Sequence, residues 1–158
     1  MTDTDQMVTW LRAAMDEAER ISKAAATPGP WTAHKYTWGD DFEASIGTYD
    51  ETNVVGHGYE GGGVVWWTDA VFIAANNPAA VLRRIAVDRQ LLDDLLTEQH
   101  NVVEDPAYTC PAATAERDGG RNYHPGACNC GRDERVQRRV RLFAEGYGWT
   151  EEMTSSGH

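Results

Sequence analysis

Three cysteines, Cys110, Cys128 and Cys130, carry the most chemistry in this 158-residue chain, and all lie in its last third. Thiolate sulfur is a soft ligand, and zinc takes four Cys or His donors in a tetrahedron. The fourth donor is expected to be His124, four residues before Cys128, with His100, ten before Cys110, as the alternative. Pro111, Pro125, Gly126 and Gly131 flank the thiols, so the backbone there can turn tightly enough to bring them together. An odd number of cysteines without an export signal argues against a disulfide framework. Unligated thiols, or a regulatory disulfide within the cluster, are the competing uses. Four protein ligands leave no place for a water, so the expected zinc is structural rather than catalytic.

Elsewhere the chain lacks the patterns that nucleophilic, phosphate or metallohydrolase chemistry needs. There is no G-x-x-x-x-G-K-[ST], H-E-x-x-H or G-x-S-x-G; Glu60-Gly61-Gly62-Gly63 has no following lysine. Asp40 and Asp41 fall in a turn, where exposure keeps carboxylates at ordinary acidity. The expectation is that the protein is not an enzyme. Trp66, Trp67, Arg135 and Arg139 are the candidates for holding a small ligand such as a nucleotide. A ring can stack on indole, and a guanidinium fork fits phosphate. A tryptophan lid on a thin core and an arginine face paired with acids are the structural alternatives.

These residues need elements to position them. Met7, Leu11, Ala14, Met15, Ala18 and Ile21 recur at helical spacing, capped by Thr4 or Asp5, and Thr27-Pro28-Gly29-Pro30 ends that helix. Trp31–Trp38, the alternating Phe42, Ala44, Ile46 and Thr48, then Val54-Val55 and Val64-Val65-Trp66-Trp67 read as a small antiparallel meander of three or four strands. A short helix capped by Asp69 runs to Asn76. Asn77 and Pro78 restart a long helix to about His100, as N-cap and first helical residue. Residues 104–131 read as irregular, and a last helix covers Asp133 to Glu145. The fold class is therefore α+β: an N-terminal helix, a small antiparallel sheet, a helical segment, a zinc-stapled loop and a C-terminal helix. Residues 1–150 are expected to form a single domain and 151–158 a flexible tail.

The formal net charge is −11, and no Lys or Arg falls between Tyr36 and Leu82. Such a surface opposes direct binding to a nucleic-acid backbone, which needs clustered cations. By contrast, Arg132, Arg135, Arg138, Arg139 and Arg141 make the last helix locally basic. No apolar run reaches the ~20 residues of a membrane span. The opening Thr2-Asp3-Thr4-Asp5 is acidic where a signal peptide is basic. A cytoplasmic location is the expectation.

Ala26-Thr27-Pro28-Gly29-Pro30-Trp31 after the first helix resembles the A-T-P-G-P-W signature of a family of small uncharacterised actinobacterial and actinophage proteins. Asp69 to Ala74, Pro78 to Leu82, Tyr108-Thr109-Cys110 and Arg141 to Tyr147 are similar to later segments of that family. Its members carry C-x2-C where this chain has Cys110 and Ala113, and the Cys128–Cys130 pair restores the count. The resemblance implies a bacterial or phage accessory protein and no activity. Taken together, the expectation is a non-enzymatic protein with a structural zinc that binds a protein partner. The alternative is a phage counter-defence protein, acting as an acidic nucleic-acid mimic or a nucleotide sponge.

Overall fold

A computed structural model describes residues 2–38, 41–48, 53–55, 66–105, 108–117 and 128–150. The chain divides into two compact units, one of residues 15–87 and one of residues 1–14 with 88–158. They are called here the sheet unit and the terminal unit. The elements mix helix with one small antiparallel sheet, so the fold is α+β as expected.

Helix α1 spans Asp3–Ala24. Thr2, rather than Thr4 or Asp5, caps it: the Asp5 backbone N–H donates to Thr2 Oγ1 at 3.2 Å, and the Thr2 backbone N–H donates to Asp5 Oδ2 at 2.9 Å. This is a reciprocal capping box with an aspartate in the third helical position. Met7, Leu11 and Met15 are buried as the apolar stripe predicts, but Ile21 is exposed and Ser22 is buried in its place. The stripe advances by four residues at each step, and Ile21 falls about a quarter-turn off that line. Ser22 tolerates burial because its hydroxyl donates to Ala18 O at 2.8 Å.

In the sheet unit, β1 (Trp31–Trp38), β2 (Asp41–Thr48) and β3 (Asn53–Val55) form a meander in the order β1-β2-β3. The β1–β2 register pairs Trp31 with Thr48 and Ala33 with Ile46. Ala44 and Ile46 pack with Ala70 and Ala74 of α2 (Trp67–Ala75), and Trp31, Ala33, Trp67 and Ile73 close over them. The alternation in β2 predicts a half-buried strand, yet Ser45 is also buried. Both faces of this central strand are therefore covered.

The expected strand through Trp66 and Trp67 does not form. Trp66 is extended and precedes α2, whose first residue is Trp67; Val64 and Val65 lie outside the described residues. Asp69 is in the first turn of α2 and not its cap. Helix α3 spans Pro78–Leu96 and starts as expected, with Asn77 Oδ1 accepting from the Ala80 backbone N–H at 3.0 Å. The same side chain donates to Ala74 O at 2.8 Å, so Asn77 joins the end of α2 to the start of α3. The A-T-P-G-P-W turn docks at this junction, since Pro28 O accepts from the Ala79 backbone N–H at 3.1 Å. Gly29 has φ 92°, and a Cβ there would lie 2.8 Å from Asn77 Oδ1, so both conformation and space require glycine.

The terminal unit contains the start of α1, the end of α3, α4 (Pro111–Arg117) and α5 (Arg132–Gly146). Leu92 and Leu95 of α3 and Val136, Val140 and Ala144 of α5 are buried, and Trp10 meets Trp149 edge-on at 5.2 Å. Helix α5 ends in a Schellman turn: Trp149 N–H reaches Ala144 O, Gly148 N–H reaches Glu145 O, and Gly148 has φ 98°. Helix α4 lies in the stretch read from sequence as irregular. Pro111 at its first position and the following Ala112-Ala113 were its available signals. Among the described residues, no helix is long and apolar enough to cross a membrane.

Candidate metal centre

The site is assembled from three segments that leave or enter helices. His100 follows the end of α3. Cys110 directly precedes α4, and its carbonyl accepts from the Ala113 backbone N–H at 3.0 Å. Cys128 and Cys130 precede α5, separated from it by Gly131 in the left-handed conformation at φ 71°. The chain between His100 and Cys110 is folded back on itself. Cys110 N–H donates to Asn101 O at 2.9 Å. Thr109 Oγ1 donates to Val103 O at 3.0 Å and accepts from Val103 N–H at 3.2 Å. Arg132 ties the third segment to the first by donating to Glu98 O at 2.7 Å and Leu96 O at 3.3 Å, carbonyls left over at the end of α3.

These ties bring three sulfurs and one imidazole nitrogen within 4.8 Å of one another. His100 Nδ1 stands 3.6 Å from Cys110 Sγ, 3.5 Å from Cys128 Sγ and 3.5 Å from Cys130 Sγ, and the last two sulfurs are 3.6 Å apart. A zinc ion with Zn–S of about 2.3 Å and Zn–N of about 2.0 Å in a tetrahedron puts N···S edges near ~3.6 Å and S···S edges near ~3.8 Å. The three N···S separations and the Cys128–Cys130 separation match those edges, and the other two sulfur pairs lie within 4.8 Å. Cys110 and His100 are buried and the other two cysteines are half-buried. All three thiols are free of disulfides.

The electrostatics favour the thiolate at Cys130 and Cys110 and oppose it at Cys128. Burial pushes each thiol up. At Cys130 the Asn101 backbone N–H, the His100 ring, the Arg132 backbone N–H and Cys128 outweigh it and bring the group down to about 6. At Cys110, burial is outweighed by the backbone N–H groups of Asn129, Ala112 and Cys130, and the shift is again downward. At Cys128 burial prevails, helped by the neighbouring Cys130, against backbone donation from Asp133, and the thiol rises. Backbone N–H groups aimed at sulfur stabilise the charged form that a metal requires.

Of the residues singled out from sequence, Cys110, Cys128, Cys130 and His100 come together as one cluster. His124 lies outside the described residues. Arg135 and Arg139 grip Glu98: Arg135 contacts Glu98 Oε1 at 2.7 Å and Arg139 contacts Oε2 at 3.3 Å. Arg135 also donates to Cys130 O at 2.9 Å, linking that ion pair to the thiol loop. Trp66, exposed, and Trp67, half-buried, belong to the sheet unit. Asp133, not singled out from sequence, has Oδ1 3.4 Å from His100 Nε2.

The family described as "Family of unknown function (DUF6221)" matches residues 4–148. The chain belongs to this family. The matched DUF6221 region contains both units' described elements except the start of α1 and the last residues after α5, and it contains every residue of the cluster. Neither a curated protein nor a solved structure matches the chain.

Proposed function

We propose that the protein is a non-catalytic binding module whose terminal unit is stapled by a structural zinc ion on His100, Cys110, Cys128 and Cys130. The observation that carries this reading is the spacing of the four donor atoms, which matches the edges of a zinc tetrahedron. Three thiolates and a histidine are soft to borderline donors, which suit zinc and disfavour magnesium or calcium. A full set of four protein ligands leaves the ion no open position for a substrate or an activated water. The ion's contribution is therefore to the fold: it fixes a stretch of chain that carries little apolar core of its own.

The binding half of the proposal is supported by what that stretch displays. Val102, Val103 and Tyr108, between His100 and Cys110, are all exposed, Tyr108 at 76%. A loop whose two ends are ligands and whose Val103 is pinned by Thr109 holds these side chains in a defined arrangement. An exposed tyrosine is a common anchor of a protein interface, and the valines beside it extend the apolar surface around it. Two measurements on one preparation test the proposal. Elemental analysis of full-length protein purified without chelator is expected to find one zinc per chain, and finding none would overturn the staple. A pull-down from the native host is expected to capture a partner that Val102→Asp with Tyr108→Asp loses while retaining zinc. Capture unaffected by those changes would overturn the loop as the binding face.

A further inference from the structure

The two residues that open α5 bear on the metal cluster from outside it. Arg132, mostly buried, donates through Nε and Nη2 to the last carbonyls of α3 and through Nη1 to Asp133 Oδ1 at 3.0 Å. That one guanidinium fixes the end of the helix from which His100 hangs and fixes the carboxylate beside it. Asp133 Oδ1 stands 3.4 Å from His100 Nε2, the ring nitrogen turned away from the sulfurs, close enough for an electrostatic contact although no hydrogen bond among the described residues reaches this buried nitrogen, and the His100 side chain is only 1% exposed. The other ring nitrogen, Nδ1, faces all three sulfurs.

We infer that Arg132 and Asp133 form a positioning device for His100, in which Asp133 keeps the ring proton on Nε2 so that the Nδ1 lone pair is presented to the ion. A neutral imidazole has one N–H and one lone pair, and the nitrogen whose proton faces a carboxylate keeps it. The carboxylate also makes the ligating nitrogen more basic, and losing such a partner weakens metal affinity by about 10–100-fold in known sites. Arg132 completes the arrangement by holding Asp133 and the backbone just before His100 in one frame. The inference rests on the zinc reading above. It concerns residues that touch a ligand and not the ion.

The test uses full-length protein. Zinc affinity is measured by competition with a chromophoric chelator for wild type, Asp133→Asn and Asp133→Ala, with helix content by circular dichroism as a check on folding. The His100 tautomer is read by long-range 1H–15N correlation. Asp133→Ala is expected to weaken zinc by about 10–100-fold. Asp133→Asn is expected to weaken it less, because the amide oxygen still presents a partial negative charge to Nε2–H. In both, the Nε2 proton moves upfield as the charged acceptor is lost. A structural contribution of Asp133 to α5 alone would leave that proton unmoved. An unchanged Nε2 proton in Asp133→Asn, or Asp133→Ala affinity equal to wild type, would overturn the inference alone. Wild-type protein that takes up no zinc would overturn the zinc reading and this inference with it.

Discussion

In the sheet unit the cluster between the sheet and α2 is made of small apolar side chains, Ala44, Ile46, Ala70 and Ala74, and the chain around them is held by a backbone ladder running from Trp31–Thr48 to Trp38–Asp41. In the terminal unit four helices supply the apolar core, but residues 98–105, 108–110 and 128–131 have neither ladder nor helix. There the ordering falls largely to side chains: Thr109 on Val103, Arg132 on the end of α3, and the four candidate ligands facing one another. Backbone pairing distributes stability over many equivalent bonds. A ligand cluster concentrates it at one point, where the loss of a single atom is felt by every segment that meets there.

That contrast predicts where each perturbation should be felt. The largest effect is expected from chelation of zinc, or from Cys110→Ser. Structural zinc contributes about 10–16 kcal/mol in finger peptides, as much as a whole domain's stability. Hydrogen exchange should lose protection at 98–117 and 128–146 while amides of β1 and β2 keep theirs. Uniform loss along the chain would break the comparison. Next, Ile46→Ala removes a fully buried branched side chain and should cost about 2–5 kcal/mol by denaturant unfolding, with zinc content unchanged. Asn77→Ala removes both the cap of α3 and the bond to Ala74. It should cost about 1–2 kcal/mol, measured in the same way.

The smallest effect is expected at Glu98, where the Arg135 guanidinium, opposed by a little burial and aided by the charges of Arg139 and Arg132, holds the carboxyl below its ordinary value. A lowered carboxylate adds stability above the unfolded-state value and loses it as acid protonates the folded protein. Glu98→Gln should therefore melt slightly lower than wild type at pH 7, and the two melting curves should start to converge as the pH falls below about 4.5 and meet only below the lowered folded-state value. A difference that does not shrink as the pH falls through that range would mean the side chain acts through packing and not charge.

Much of this molecule was legible in its residues. Helical spacing located α1, α3 and α5, and Asn77-Pro78 marked a boundary that the structure reproduces because cap and first residue are local features. The clustering of the three cysteines in the sequence pointed to the group that the structure brings together. What sequence left open was set by distance in space. His124, nearest Cys128 in the chain, and His100 were the two candidate fourth donors, and spacing could not choose between them. Among the described residues His100 reaches the sulfurs, where Arg132 and the Asn101–Cys110 bond tie the chain after α3 to the thiol segments. Trp66 and Trp67 have the side chains of a strand, and tertiary context overrode that preference: Trp67 enters α2 because Ala70 and Ala74 supply a flat apolar face for the sheet. Ser45 was read as an outward residue because periodicity assigns faces, and it cannot show that both faces are covered.

With an ion bound, the tied loop and the converging thiols would make the cluster a cross-link that the metal supply could open or shut. A zinc ion held there would bind only the folded form, so the unit's resistance to unfolding would climb with the logarithm of free ion, by about 2.7 kcal/mol at a hundred times the dissociation constant. The lifetime of the chain in a cell would then track the metal supply around it, as a gauge does.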